Sequence, residues 1–389
     1  MSDPIVTYLQ EHLDEYVADL RQLSGIDSGT DDKAGVDAVQ DWLEERLHQL
    51  GLSVERRPQE RWGDDLIARG EGDGLARILL LGHADTVYPR GTTALRPVTK
   101  VGDKLIGPGT CDMKAGLLTG FYALRALEHV GWKDYGGITF IIVSDEEIEE
   151  RHSVDLLKAE GPRHHAVFTL EAARENGDIV SARKATCWYE VEARGKAAHA
   201  GVEPEKGRSA TLALAHVIVE TYKLNGMRDG MTVNPGRIEG GANPNVVADH
   251  ARAMFDLRAW SAADLAELTA AFERVATSPW VPGVELRAEP LGAGTPAMER
   301  TPGTVRLEEH AIKIASTLGF PLRGASTGGG SDVSYACHAR TPGLDGLGPV
   351  GGLDHGPDEY ILYSSIVPRT ALLAKLVQAI AADEELIDG

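Results

Sequence analysis

The stretch "GITFIIVSDEEIEE", residues 137–150, decides the fold. From Gly137 to Val143 the chain is a mostly apolar run, rich in β-branched and aromatic side chains. Such a run reads as a strand buried on both faces, the kind that lies inside a parallel sheet covered by helices. It ends at Ser144, and five carboxylates follow within six positions: Asp145, Glu146, Glu147, Glu149 and Glu150. Ligands of parallel sheets bind at the carboxyl ends of the strands. So much like charge at that place points to a cation.

Working outward, Ile78–Leu81 and Ala166–Leu170 read as two more buried strands. Helical spacing predicts one helix over 4–23 (Ile5, Leu9, Leu13, Val17, Leu20), a second over 33–50, and a third after Lys114. Buried strands alternating with helices predict an α/β domain with a mostly parallel sheet. The texture changes near residue 180. "CWYEVEAR", residues 187–194, alternates like a sheet with one wet face and opens the order strand, helix, strand, strand, helix, strand, which ends at about residue 289. After Pro296 the pattern returns to helix at 304–318 and again at 365–382. The simplest parse is a discontinuous domain of residues 1–179 and 292–389, interrupted by an α+β module at 180–291.

The chain has 389 residues, with 59 acidic and 39 basic side chains and a formal net charge of -20. That disfavours nucleic acid and anionic membrane as partners. Cys111, Cys187 and Cys337 lie far apart with no CxxC, which suggests a reducing compartment. There is no basic-then-apolar N-terminal stretch and no apolar run of membrane-spanning length. The expectation is a cytoplasmic chain.

All three buried strands run into metal-ligand side chains: His83 and Asp85, then Asp145, Glu146 and Glu147, then Glu171. Asp112 lies in the glycine-flanked turn "GPGTCDMKAG", and His355 in "GLDHGPDEY". Each alone has an ordinary reading. Asp112 could cap a helix, the glutamate pair could be a solvated helix start, and His355 could be a loop histidine. Together, carboxylates gathered at one rim would repel strongly unless a cation neutralised them. Two histidines and three carboxylates suit zinc or a similar ion. Two other motifs compete. Gly324–Gly328 matches G-x-S-x-G with Ser326 as its serine, but "FPLRGAST" is a poor strand and no helix follows at once. Gly346–Gly351 matches G-x-G-x-x-G without a surrounding βαβ unit.

The blocks "GHADTVYPRGT", "GPGTCDMKAG", "SDEE", "TLEAAREN", "GKAAHAGVEPEKGRSA", "NVVADHARAMFDLRA", "TGGGSDVSYA" and "GLDHGPDEYI" occur in the order seen in the M20 family of zinc peptidases and amidohydrolases. The chain resembles that family from about residue 80 to 385, and within it most resembles the glutamate carboxypeptidase (carboxypeptidase G2) branch. The resemblance implies two Zn2+ per subunit, with Co2+ or Mn2+ as substitutes. Asp112 would bridge them, His83 and Glu171 would hold one ion, and Glu147 and His355 the other. Asp85 would orient His83, Asp145 would support, and Glu146 would be the general base.

The resemblance further implies that the inserted domain is ferredoxin-like and forms a homodimer. His199 from that domain would reach the partner's active site. Asn245 and Arg258 would bind the substrate carboxylate, and Gly329, Gly330 and Ser331 would line the pocket. Arg258 also follows Asp256 closely enough to form a local ion pair instead. The implied reaction is cleavage of an amide beside a free carboxylate, releasing a C-terminal amino acid from a peptide or N-acyl amino acid. Alternatives are another M20 activity (N-acyl-amino-acid deacylase or dipeptidase), a serine hydrolase using Ser326, or a non-catalytic metal-stabilised binding protein. The chain departs from its relatives at Glu149 and Glu150, where many have Gly-Ser, and at Thr295, where close relatives often carry Arg. The second departure bears on any preference for glutamate.

Overall fold

The computed structural model describes residues 3–148 and 152–387. Glu149 and Glu150 lie outside the described residues. The chain forms two compact units. The first comprises the chain up to Ser181, then Arg300–Ser326, and everything from Ser331 onward. The second comprises Ala182–Glu299 and the glycine loop Thr327–Gly330. It runs past the expected end at residue 291 because the returning segment zips onto its first strand, with bridges Thr186 to Thr295 and Arg183 to Met298.

In the first unit the expected single helix over 4–23 is two: α1 (Pro4–Glu11) and α2 (Leu13–Leu23). Asp3 caps α1 by accepting from the amides of Ile5 and Val6. His12 breaks the run: its backbone leaves helical geometry and its ring Nδ1 bonds the Tyr8 carbonyl at 2.8 Å. Then come α3 (Lys33–Gln49), β1 (Ser53–Arg57), β2 (Asp65–Glu71), β3 (Arg77–His83), α4 (Ala115–His129), β4 (Gly137–Val143), α5 (Val154–Glu160) and β5 (Ala166–Thr169). The sheet order is β1-β2-β4-β3-β5, with the short strand Gly343–Leu344 outside β5. β3, β4, β5 and that last strand run parallel, whereas β1 and β2 form an antiparallel edge.

The strand that opens the quoted stretch sits where its composition requires. β4 has a strand on each side, and Ile141, Ile142 and Val143 have no exposed surface. Leu118, Phe121 and Leu127 of α4 share its core with Leu372, Leu373 and Leu376 of the late helix Ile366–Ala381. Gly116 is needed at the start of α4, because an added Cβ would lie 1.8 Å from the Leu170 carbonyl oxygen. That close approach sets the turn before α4 beside the end of β5.

The second unit runs β6 (Ala185–Arg194), α6 (Ala210–Tyr222), β7 (Thr232–Gly240), β8 (His250–Ala259), α7 (Ala262–Ala276) and β9 (Glu285–Pro290). Its strands pair antiparallel in the order β7-β8-β6-β9, which is the ferredoxin-like arrangement. Inward residues Val191, Phe255 and Leu257 alternate along the strands and pack with Leu214, Val217, Leu268 and Phe272. Ser209 and Ser261 cap the two helices. Among the described residues no helix is long and apolar enough to cross a membrane.

Candidate metal centre

Parallel register brings three strand ends level. His83 pairs with Val143 across β3 and β4, and Leu81 pairs with Thr169 across β3 and β5. Beyond those ends the chain delivers Asp85, then the turn Glu146–Ile148, then Glu171. The turn Thr110–Lys114 adds Asp112 from the front of α4.

The Asp112 carboxylate divides the site into two halves. Its Oδ1 lies 3.0 Å from His83 Nε2, and its Oδ2 lies 3.1 Å from His355 Nε2. His83 Nε2 is also 3.5 Å from Glu171 Oε1, and His355 Nε2 is 3.1 Å from Glu147 Oε2. Each half therefore holds one imidazole nitrogen, one glutamate and one oxygen of the shared aspartate.

The second nitrogen of His83 is already engaged. Nδ1 donates to the Asp85 carbonyl at 3.0 Å, with Asp85 Oδ1 at 3.3 Å. In the neutral tautomer this leaves the Nε2 lone pair aimed at two carboxylates, an arrangement that needs a positive charge between them. Asp85 is held in turn: its Oδ2 accepts from Thr30 Oγ1 at 2.7 Å and from the Glu147 amide at 3.3 Å. His355 sits in a tight turn with φ of 61°, closed by the Gly356 amide on the Leu353 carbonyl. Left-handed backbone costs a non-glycine residue about 1–2 kcal/mol.

The electrostatics give the same picture. Burial opposes charge on His83, yet Asp112, Asp85 and Glu171 outweigh it and raise its pKa well above the ordinary value. Asp112 and Glu147 raise His355 to about 11. Burial and the Asp112 charge push Glu171 up to about 7. Glu147 is raised too, by burial first and Asp112 next, against the pull of His355. Burial works against the Asp112 charge, but His355 and His83 hold its carboxyl far below the usual range. The rim is short of positive charge and takes it as protons. The donor set of two imidazoles and three carboxylates, with one carboxylate facing both halves, fits two zinc-like ions.

Several residues that shape this site were not singled out by the sequence. Glu359 is buried and gathers the turn that carries Asp112. Its Oε1 accepts from the amides of Cys111 at 2.7 Å and Asp112 at 3.0 Å, and its Oε2 from the Gly109 amide at 2.9 Å and Tyr88 Oη at 2.7 Å. Its only signal is its place in the block that contains His355. Thr30, which orients Asp85, carries no motif at all. A separate group in this unit joins Asp65, Asp145 and His152.

Glu146 opens the same turn as Glu147. Ser331 is buried, and its Oγ donates to Asp345 Oδ2 at 3.2 Å. Ser326 lies on the short strand Gly324–Thr327, with no strand-to-helix elbow at the serine. In the second unit, His199 is exposed and pairs with Val246, while the Ala200 amide donates to the Asn245 carbonyl at 2.9 Å. Arg258 is bound to Asp256 at 2.7 Å and donates from Nη1 to the Gly328 carbonyl at 2.6 Å. Arg183 donates to the carbonyls of Gly329 and Gly330 at 3.0 and 3.1 Å.

Comparison with known proteins agrees with this geometry. Carboxypeptidase G2 of Pseudomonas sp. (strain RS-16) is 29% identical over 371 residues, covering 93% of this chain and 88% of that protein. An acetylornithine deacetylase of Aliivibrio fischeri (strain MJ11) is 27% identical, covering 91% and 94%. The crystal structure of aminopeptidase PepT from Bacillus cereus ATCC 10987 superposes with a TM-score of 0.81 at 26% identity, covering 95% of this chain and 99% of that one. The profile of peptidase family M20/M25/M40 matches residues 79–379. With the parallel sheet, the two-half rim and a family match over most of its length, this chain belongs to the M20 peptidase family and is a hydrolase.

Proposed function

We propose that the protein is a two-zinc hydrolase that cleaves an amide or peptide bond beside a free carboxylate and releases a C-terminal amino acid. The observation that carries this reading is Asp112, with one oxygen facing His83 and the other facing His355. His83, Glu171 and one Asp112 oxygen would hold one ion; Glu147, His355 and the other oxygen would hold the second. When bound, such a pair supplies Lewis acidity and makes water nucleophilic near neutral pH.

The chain's own residues do the rest. Glu146 takes the proton of the water that attacks the carbonyl carbon, and passes it to the nitrogen of the departing amine. Asp85 fixes the tautomer of His83 by accepting from its Nδ1. His199 donates to the scissile carbonyl oxygen as negative charge develops there. Arg258 and Asn245 receive the substrate carboxylate, with Gly329, Gly330 and Ser331 lining that end. His199 is proposed to act across a homodimer built through the second unit.

Deacylation of an N-acyl amino acid is the second reading, favoured by the similarity to an acetylornithine deacetylase. A panel of N-acyl amino acids, dipeptides and folate-like acyl glutamates separates the two. The first reading expects turnover of acyl glutamates or dipeptides with a free carboxylate, abolished by a chelator and untouched by a serine-directed reagent. A chelator-resistant activity, or one lost on replacing Ser326, overturns both.

A further inference from the structure

His152, just ahead of α5, reaches back to Asp145 at the end of β4. His152 Nδ1 lies 3.0 Å from Asp145 Oδ2, and the His152 amide donates to the same oxygen at 2.6 Å. The Ser153 amide adds a third contact to it at 3.3 Å, just ahead of α5. His152 Nε2 reaches the other way, to Asp65 Oδ1 at 3.0 Å at the start of β2. Both carboxylates are shut from solvent, with 0% of the Asp145 side chain and 1% of the Asp65 side chain exposed.

Other groups close around the ring. Trp62 stacks on it at 5.7 Å and 19°. Arg61 lies over the Trp62 ring. Ser144 Oγ is 3.3 Å from Nε2 and 3.2 Å from Asp65 Oδ1, and Gln59 Nε2 donates to Asp65 Oδ2 at 3.3 Å. Among the described residues, the charged groups around the imidazole are Asp65, Asp145 and, beyond Trp62, Arg61.

We propose that His152 is a positioning residue for the M20 reaction: fastened between Asp145 and Asp65, its doubly protonated ring anchors the segment that presents Glu146 and Glu147. The proposal rests on the roles given to those two glutamates above. The mechanics are short-range. Asp145 directly precedes Glu146, and consecutive Cα atoms are about 3.8 Å apart, so a shift of Asp145 passes directly to both glutamates. A buried carboxylate that loses its cation must either protonate or move toward water. A misplacement of about 1 Å is enough to cost about 10²-fold in rate.

On the Asp65 side the contact is a hydrogen bond from Nε2, and on the Asp145 side it is an ion pair that needs the ring's charge. Burial opposes charge on His152, but Asp145 and Asp65 together raise its pKa to about 9. A histidine pKa raised on folding stabilises fully below about 6.5 and loses that contribution as pH rises through the folded value. A neutral ring loses its ion pair with Asp145, which keeps only the amide bonds from His152 and Ser153 among these contacts, so the anchor weakens as pH passes about 9.

The test uses the zinc-loaded full chain, with His152→Gln and the near-isosteric Asp65→Asn, at saturating zinc. The expected result is a fall in kcat of about tenfold or more in His152→Gln, with KM within about threefold of wild type. In Asp65→Asn the alkaline limb of kcat should move to lower pH. Histidine ¹⁵N resonances of the wild type should show His152 doubly protonated at neutral pH and titrating near 9, and exchange of the His152 and Ser153 amides should quicken through the same range. Wild-type kcat and pH profile in both variants overturn the proposal, as does a neutral His152 at neutral pH. A third bound zinc that disappears in Asp65→Asn also overturns it, making the cluster a metal site. If the wild type hydrolyses nothing in the substrate panel, the functional reading falls separately, and the resonance and exchange data decide the anchor.

Discussion

The first unit holds two clusters of histidine and carboxylate whose ingredients are alike and whose chemistry differs. At Asp65, Asp145 and His152 each ring nitrogen meets one carboxylate, and backbone amides of residues 152 and 153 supply further donors to Asp145. One protonated ring serves two carboxylates, and the amides take up part of the charge that is left. At the sheet rim, His83 spends one nitrogen on Asp85, and two Nε2 atoms are left to face Asp112, Glu147 and Glu171. With Asp85 counted, four carboxylates share two rings there, so protons on the rings leave the larger excess of negative charge. Composition therefore does not separate a structural ion cluster from a metal centre. The count of donors the protein itself provides does.

The sharpest way to break this comparison is to alter one carboxylate in each cluster. Asp112→Ala should lose both ions, because that side chain serves both halves. Activity should fall by more than the about 10²-fold that follows loss of an orienting partner alone. Asp65→Asn should keep both ions, as metal analysis after dialysis would show. Next in size is Glu146→Gln, expected to retain its metal while kcat drops about 10²–10⁴-fold, the usual worth of a general base. Equal activity in that variant would remove Glu146 from the mechanism. Asp85→Asn should be milder. The His83 Nδ1 bond goes to the Asp85 backbone carbonyl, which the variant keeps, while the altered side chain meets both Thr30 and the Glu147 amide, so either ion should weaken by no more than about 10–100-fold in a competition titration.

The smallest effect lies in pH. The stabilisation from His152 is present below about 6.5 and fades as pH rises through about 9. Thermal denaturation should show the wild type losing more stability across that range than His152→Gln. Parallel curves would mean that the imidazole is neutral throughout.

How far the sequence foretold these regions follows from how local each signal is. The run Ile138–Val143 reads as a central strand because all but Thr139 is apolar, and no neighbour had to be known. β1 was invisible because an edge strand reading "SVERR" alternates between half-buried and exposed positions and carries three charges. The break at His12 was equally hidden, since apolar spacing continues across it and only the ring's bond to Tyr8 marks the change. Metal-ligand types at three strand ends could be seen because the sheet rule says where strand ends point. Glu359 and Thr30 could not: an acid and a hydroxyl in loops acquire meaning only when folding brings them to Asp112 and Asp85. His152 had no signal either, for its partner Asp65 lies 87 residues away in sequence.

The most direct test of the shared-aspartate centre is a zinc titration of the metal-free protein with proton release followed in parallel. Two equivalents of zinc per chain, displacement of protons from the histidine-carboxylate rim, and loss of both tight equivalents in Asp112→Ala are expected. A single tight equivalent in the wild type, or two that survive in Asp112→Ala, would contradict it.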